Sequence, residues 1–348
     1  MKRRITAHPV RSAVMLGAAV SAAALALAGC ASGGSSGSGS TQSGSSEPLQ
    51  IAYMSFAVAN SYDAPMLDAA KQVASANNAV VTVFDANNDP QAQFTQLQDA
   101  VTSGKYDGII TQPIFGAGLV PAVQQAIAAG IPVVNIDQIL GSDLSTLEPQ
   151  VDGLSGNVTF VPTKLGHTLG EQTVAACKAG NLDPCNVGYL YDIKASALDV
   201  AIRQGFDDAT KGSPVTVVAE GESFFTPATA LKAVQDMLQA HPEINTIVGS
   251  DQGLQGADQA LAAVGKTGQI AEVGFGGSEA AVKGVTSGAW FADVVQAPAT
   301  EGKLGMQALI DAITSGKKSG GIDPFAGFPN NGVMTKATVS QFTPEWPG

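Results

Sequence analysis

Four short apolar runs, LQIAYM (49–54), AVVTVFD (79–85), GIIT (108–111) and PVVNI (132–136), begin 24–30 residues apart and decide the fold. Each is too short for a helix and nearly continuous in apolar residues, the pattern of a strand buried on both faces. Helical patterns fill the intervals. The first is expected to start at Asp63 as N-cap with Pro65 in its first turn, and the second at Asp89 as N-cap with Pro90 following. A third runs from Leu119 to Ala129 and closes on Gly130, a residue type that tolerates a left-handed cap. Strands alternating with helices predict a parallel sheet covered on both faces.

The same alternation returns downstream. Strands are expected at 186–190, 214–220, 246–249, 270–275 and 289–296, with helices at 165–179, 197–210, 227–240, 253–264, 278–287 and 300–315. So many strands divide naturally into two doubly wound α/β lobes with a cleft between them. Ligands of such sheets bind beyond the carboxyl ends of the strands. The residues there are Phe56, Asn60, Tyr62 and Asp63 after the first strand, Gln112 after the third, and Asp137 with Gln138 after the fourth. The second half contributes Asp192, Phe225, Ser250 with Asp251, and Gln296. Each has a plainer reading, since Asp137 can cap a turn and Asp63 its helix.

Ahead of the first strand, Lys2, Arg3, Arg4 and Arg11 precede an uncharged run from Ala13 to Ala28, which ends in Leu-Ala-Gly-Cys at 27–30. This is the layout of a secretory signal peptide, and the tetrapeptide resembles the bacterial lipobox. That resemblance implies removal of residues 1–29 and lipid on Cys30, giving an extracytoplasmic chain anchored to the cell membrane. Sixteen residues fall short of the roughly 20 that span a bilayer as a helix. From Ala31 to Ser46, 13 of 16 residues are Ser or Gly, so beyond the Cys30 that the resemblance lipidates, the rest of 30–48 is expected to be a flexible tether spanning about 20–25 Å.

Residues 1–29 hold four of the eighteen basic side chains and none of the thirty acidic ones, leaving the remainder near −16. Such a balance argues against nucleic acid or anionic lipid as a partner surface. Cys177 and Cys185 are the remaining cysteines, and outside the reducing cytosol a local disulfide is expected between them. Zinc is the alternative, but His167 and His241 lack ligand spacing, so neither metal nor cofactor is expected. No nucleophile elbow, phosphate loop or zinc signature points to an enzyme.

The segments FDANNDPQAQ (84–93), AGIPVVNID (129–137), LQAHPEI (238–244), VGFGG (273–277) and VVQAP (294–298), in this order, resemble the sugar-binding type I periplasmic binding proteins, and most of all their ribose-binding group. The resemblance covers nearly all of 49–348. It implies a monomeric receptor that closes two lobes over a sugar or polyol and delivers it to the transmembrane subunits of an ABC importer. Three crossovers fall near 161–162, 296–297 and 324–326, giving an N-terminal lobe of 49–161 plus 297–325 and a C-terminal lobe of 162–296 plus 326–348. The positions matching the family's pocket are Asn60, Tyr62, Gln112, Asp137, Phe225 and Gln296. Carboxylates and amides there can engage paired hydroxyls, while the aromatic rings cover an apolar face.

Departures from the ribose group are equally specific. Gln138 and Val200 stand where arginines are expected, Arg203 lies a turn too late, Ser250 replaces an Asn and Gly276 an Asp. Ribose itself is therefore disfavoured against another sugar or polyol. Asp63, Asp192, Asp199 and Asp251 lack evident basic partners, which leaves an amine-bearing ligand open. A sensory receptor reporting a sugar or autoinducer to a membrane kinase is the other functional reading.

Overall fold

A computed structural model describes residues 47–348, and the expected signal peptide, Cys30 and most of the expected tether lie outside them. Two six-stranded sheets form the framework. The first is built from β1 (Leu49–Ser55), β2 (Ala79–Asp85), β3 (Gly108–Thr111), β4 (Val133–Asp137) and β5 (Gly156–Thr159), joined by β11 (Gly321–Ile322). Its order is β11-β5-β4-β3-β1-β2, parallel throughout. The second contains β6 (Cys185–Tyr191), β7 (Val215–Glu222), β8 (Thr246–Ser250), β9 (Ala271–Phe275), β10 (Trp290–Val294) and β12 (Val333–Thr335). Its order is β12-β10-β9-β8-β6-β7, with β12 alone antiparallel.

Helices cover both faces of each sheet. In the first lobe, α1 (Asp63–Ala76) and α9 (Pro298–Ser315) pack on one face, against Ile51 and Tyr53. On the other, α2 (Pro90–Ser103) and α3 (Gly116–Ala128) meet Ala52 and Met54. Alternate β1 residues thus enter opposite cores, which is why the run reads as continuously apolar. In the second lobe, α4 (Pro162–Ala179) and α5 (Ala197–Thr210) cover Tyr189, while α6 (Pro227–Ala240), α7 (Asp251–Ala263) and α8 (Glu279–Ser287) cover Leu190 and Trp290. The chain passes between the lobes after Thr159, after Val294 and after Ile322. Among the described residues no helix is long and apolar enough to cross a membrane.

Local chemistry accounts for most boundaries. Asp89 caps α2, accepting from the Gln91 and Ala92 amides, and Ser196, Ser250 and Ser278 cap α5, α7 and α8 in the same way. The expected capping role of Asp63 is corrected: Tyr62 holds the N-cap position without a side-chain bond, and the Asp63 carboxylate turns inward. Helix α3 starts at Gly116 rather than Leu119. Strand β5 reads Gly-Asn-Val-Thr, and no apolar run announces it. Cys177, near the end of α4, and Cys185, at the start of β6, are joined by a disulfide with Cα atoms 5.8 Å apart. His167 and His241 pair with Glu171 and Glu243 at the surface.

Candidate ligand-binding site

The carboxyl ends of both sheets face a cleft between the lobes that holds about 540 Å³ of empty space, open solvent included. Its first-lobe wall carries Phe56, Asn60, Tyr62, Asp63, Asp137 and Gln138. One amide organises the acids there. Gln112 donates through Nε2 to Asp63 Oδ1 at 2.7 Å and Asp137 Oδ2 at 3.1 Å, while its Oε1 accepts the Phe56 amide at 3.2 Å. The Gln112 backbone is held in turn by Gln93, whose Nε2 donates to its carbonyl at 2.8 Å. Asp63 Oδ2 also accepts the Ala57 amide at 3.2 Å. Asp137 sits at φ 65°, a left-handed conformation that aspartate tolerates better than most residues.

Burial dominates the electrostatics. It raises the Asp63 carboxyl well above the usual range, with the nearby Asp137 charge adding to the effect and the Gln112 bond opposing it. The Asp137 carboxyl is pushed up to about 7 by burial, against the same Gln112 bond. Behind them the Tyr62 hydroxyl donates to Glu301 Oε1 at 2.7 Å, and Glu301, fully buried on α9, is also raised by desolvation. Among the described residues that line the cavity there is no Lys, Arg or His.

The second-lobe wall is mostly apolar, with Phe160, Leu198, Ile202, Phe225, Phe275 and Trp346 beside Ser250, Gln252, Gly276 and Gln296. Phe224 and Phe225 both adopt positive φ, 49° and 54°, a strained choice for bulky residues that is more frequent at functional positions. The turn brings the Phe225 ring edge-on to Phe56 across the cavity, centroids 6.3 Å apart. Gln252 reaches across the lobes, its Nε2 3.4 Å from Asn60 Oδ1 and 3.3 Å from Ser61 Oγ.

Nine of the twelve side chains expected from sequence thus line the cavity, and three stand behind it. Gln112 orients the acids from beneath. Asp192 is corrected to a buried acceptor of the Ser223 and Ser250 hydroxyls, its carboxyl pushed up to about 7 by burial and the neighbouring Asp199 charge. Asp251 is corrected likewise: it accepts the Ser278 amide at 2.8 Å and pairs with buried Asp293 under Gly276. Asp199 caps its own loop through the Asp192 and Ile193 amides. Arg203 points away from the cavity to Asp207, Glu220 and Tyr191.

The sequence reading missed Phe160, Leu198, Ile202, Gln252, Phe275 and Trp346 as lining residues, together with Glu301 behind Tyr62. Phe275 was within reach, because it ends a recognised strand. Leu198, Ile202 and Gln252 sit in the opening turns of helices, and Trp346 is more than 280 residues from its ring partner Tyr62.

Residues 51–318 match the model of the periplasmic binding protein domain. The chain is 30% identical over 269 residues to the D-allose-binding periplasmic protein of Escherichia coli K12, covering 74% of this chain and 80% of that one. It is 27% identical over 245 residues to the ribose import binding protein of Bacillus subtilis 168, covering 68% and 72%. Among solved structures, an ABC transporter solute-binding protein from Mycobacterium smegmatis with bound glycerol superposes with a TM-score of 0.72 at 25% identity, covering 86% of this chain and 99% of that one.

Proposed function

Because the chain belongs to the periplasmic binding protein family, matched over residues 51–318, we propose that it is a solute receptor that closes over a neutral monosaccharide or polyol and delivers it to an ABC importer. The observation that carries this reading is the cavity between the lobes, where amide-oriented carboxyls face aromatic and aliphatic side chains. Hydroxyls can donate to Asp63 and Asp137 while Gln138, Gln252 and Gln296 offer both donors and acceptors. The rings cover the C–H face of the ligand. A buried lining without Lys, Arg or His disfavours acids and sugar phosphates, whose charge would be desolvated with no partner. The allose-, ribose- and glycerol-binding relatives support the polyol class. The family is one of binding proteins, and the reading involves no catalytic step.

The lipobox-like Leu27-Ala28-Gly29-Cys30 supports an extracytoplasmic receptor tethered by lipid on Cys30. Replacement of Cys30 by Ser should then release the protein from the membrane fraction.

A thermal-shift screen of the mature chain tests the ligand class, with D-allose, D-ribose, xylitol, myo-inositol and glycerol against glucuronate, ribose 5-phosphate and putrescine. A ligand at 100 times its dissociation constant adds about 2.7 kcal/mol of stability. Stabilisation by a neutral polyol alone is the expected result. The uncompensated Asp63 and Asp137 also suit an amine, and a shift with putrescine alone would transfer the assignment to that class.

A further inference from the structure

We infer that Trp346 is a specificity-determining wall of the cavity, held there by a strap that ties the two lobes together, an inference that rests on the receptor reading above. The strap is the short segment Glu345–Pro347. On one side, the Glu345 carboxylate accepts from the Thr300 amide at 2.8 Å and the Thr300 hydroxyl at 2.6 Å, in the first turn of α9 in the first lobe. On the other side, the Trp346 and Pro347 carbonyls accept from the Glu279 and Ala280 amides at 3.0 and 3.3 Å, opening α8 in the second lobe. Sequence reading assigns 326–348 wholly to the C-terminal lobe, yet this segment bonds to both.

The indole between these anchors is fixed at its edges. Its Nε1 donates to the Gly276 carbonyl at 2.7 Å, its ring stands edge-on to Tyr62 with centroids 5.2 Å apart, and only 4% of the residue is exposed. Gly276 makes room for it. A Cβ at that position would lie 2.8 Å from Trp346 Cζ2 and 2.7 Å from the Asp251 carboxyl, and φ 145° excludes most side chains besides. A side chain at 276 and the indole at 346 therefore exclude each other. The second-lobe wall presents an aromatic face where a polar residue after β9 would otherwise have stood.

Two consequences are separable. The face of the indole rewards a ligand with an apolar C–H surface on that side, so Trp346 sets preference among ligands. The Glu345 anchor holds the strap from outside the cavity wall, so weakening it affects all ligands alike.

The test is calorimetric titration of the mature chain with D-allose, D-ribose, xylitol and glycerol, repeated on Trp346→Ala and Glu345→Gln, with tryptophan emission followed in Trp290→Phe and Trp346→Phe. The expected result is a loss of about tenfold or more for the best ligand in Trp346→Ala, with a changed order of preference. Glu345→Gln should weaken every ligand by a similar factor and keep the order. Trp290 is buried against α8 and bonded to Asp258, away from the cavity, so the ligand-induced emission change should persist in Trp290→Phe and vanish in Trp346→Phe. Should Trp346→Ala fail to fold, the emission pair decides. Binding that keeps its strength and order in Trp346→Ala, or an emission change that survives Trp346→Phe, overturns the inference while leaving the receptor reading intact. A wild-type chain that binds none of the four overturns both.

Discussion

Tyr62 and Glu301 are 239 positions apart in the chain, yet the phenol of one donates to the buried carboxyl of the other at 2.7 Å, joining the start of α1 to α9 directly behind the cavity wall. The second oxygen, Glu301 Oε2, is buried with no protein partner. Burial holds this carboxyl well above its ordinary range, toward the neutral form.

Tyr62→Phe should therefore cost about 1–3 kcal/mol, the range for stranding a buried polar group, whereas Glu301→Gln keeps an acceptor in place and should cost under about 1 kcal/mol. Urea unfolding of the two variants checks this. Equal losses would show that the phenol bond is not what supports the wall.

Gln112→Leu removes the amide that serves Asp63, Asp137 and the Phe56 backbone together. The expected outcome is a loss of about 2–4 kcal/mol in unfolding free energy, since several buried groups lose partners at once. Asp137→Asn should be milder, because the amide oxygen of the introduced side chain can still accept from Gln112 Nε2. Reversal of this order would remove Gln112 from the centre of the network.

Acid dependence follows from burial. Asp137 and Asp192 titrate near 7 in the folded chain, above the usual carboxyl value, so between about pH 4 and 7 the folded state holds more protons than the unfolded one. Their contribution is complete below the unfolded pKa and is lost as pH rises through about 7. The unliganded protein should thus unfold at a lower urea midpoint at pH 8 than at pH 5, and Asp137→Asn should flatten part of that slope. Glu220, held down to about 2 by the Lys194 bond first, works oppositely, but only below about pH 4.5. A midpoint that climbs from pH 5 to pH 8 would contradict the assignment.

Much of this architecture could be read from the chain because parallel strands buried on both sides leave continuous apolar runs. β2, β3, α5 and α6 fall within the expected numbers. β5 did not show, since its Asn157 and Thr159 face a polar network with Asn135 instead of a core. At the site, strand-end positions such as Asn60, Asp137, Phe225 and Gln296 follow from topology alone. Side-chain direction does not. Asp63 reads as a cap by position but turns to Gln112, and Asp192 and Asp251 lie one layer too deep. Trp346 and Glu301 were invisible because tertiary closure, not local sequence, brings them to Tyr62.

The Cys177–Cys185 bridge closes a loop with sequence separation 8 between α4 and β6. Loop entropy assigns it about 2.5 kcal/mol. The double Cys→Ala variant should lose roughly that much stability and keep its ligand affinity, because neither cysteine lines the cavity. An affinity change of more than about threefold, equivalent to ~0.65 kcal/mol, would reveal coupling between the bridge and the cleft.

A neutral polyhydroxy ligand is expected to be held between the lobes by the Asp63–Gln112–Asp137 network. Calorimetric titration of the wild-type mature chain and Asp137→Ala, each against D-allose, D-ribose, xylitol, myo-inositol and glycerol, tests it most directly. Saturable one-to-one binding of at least one of these is expected, weakened about tenfold or more in Asp137→Ala by loss of a hydrogen bond to the Asp137 carboxyl. Binding that is indifferent to Asp137, or heat from none of the five, would contradict it.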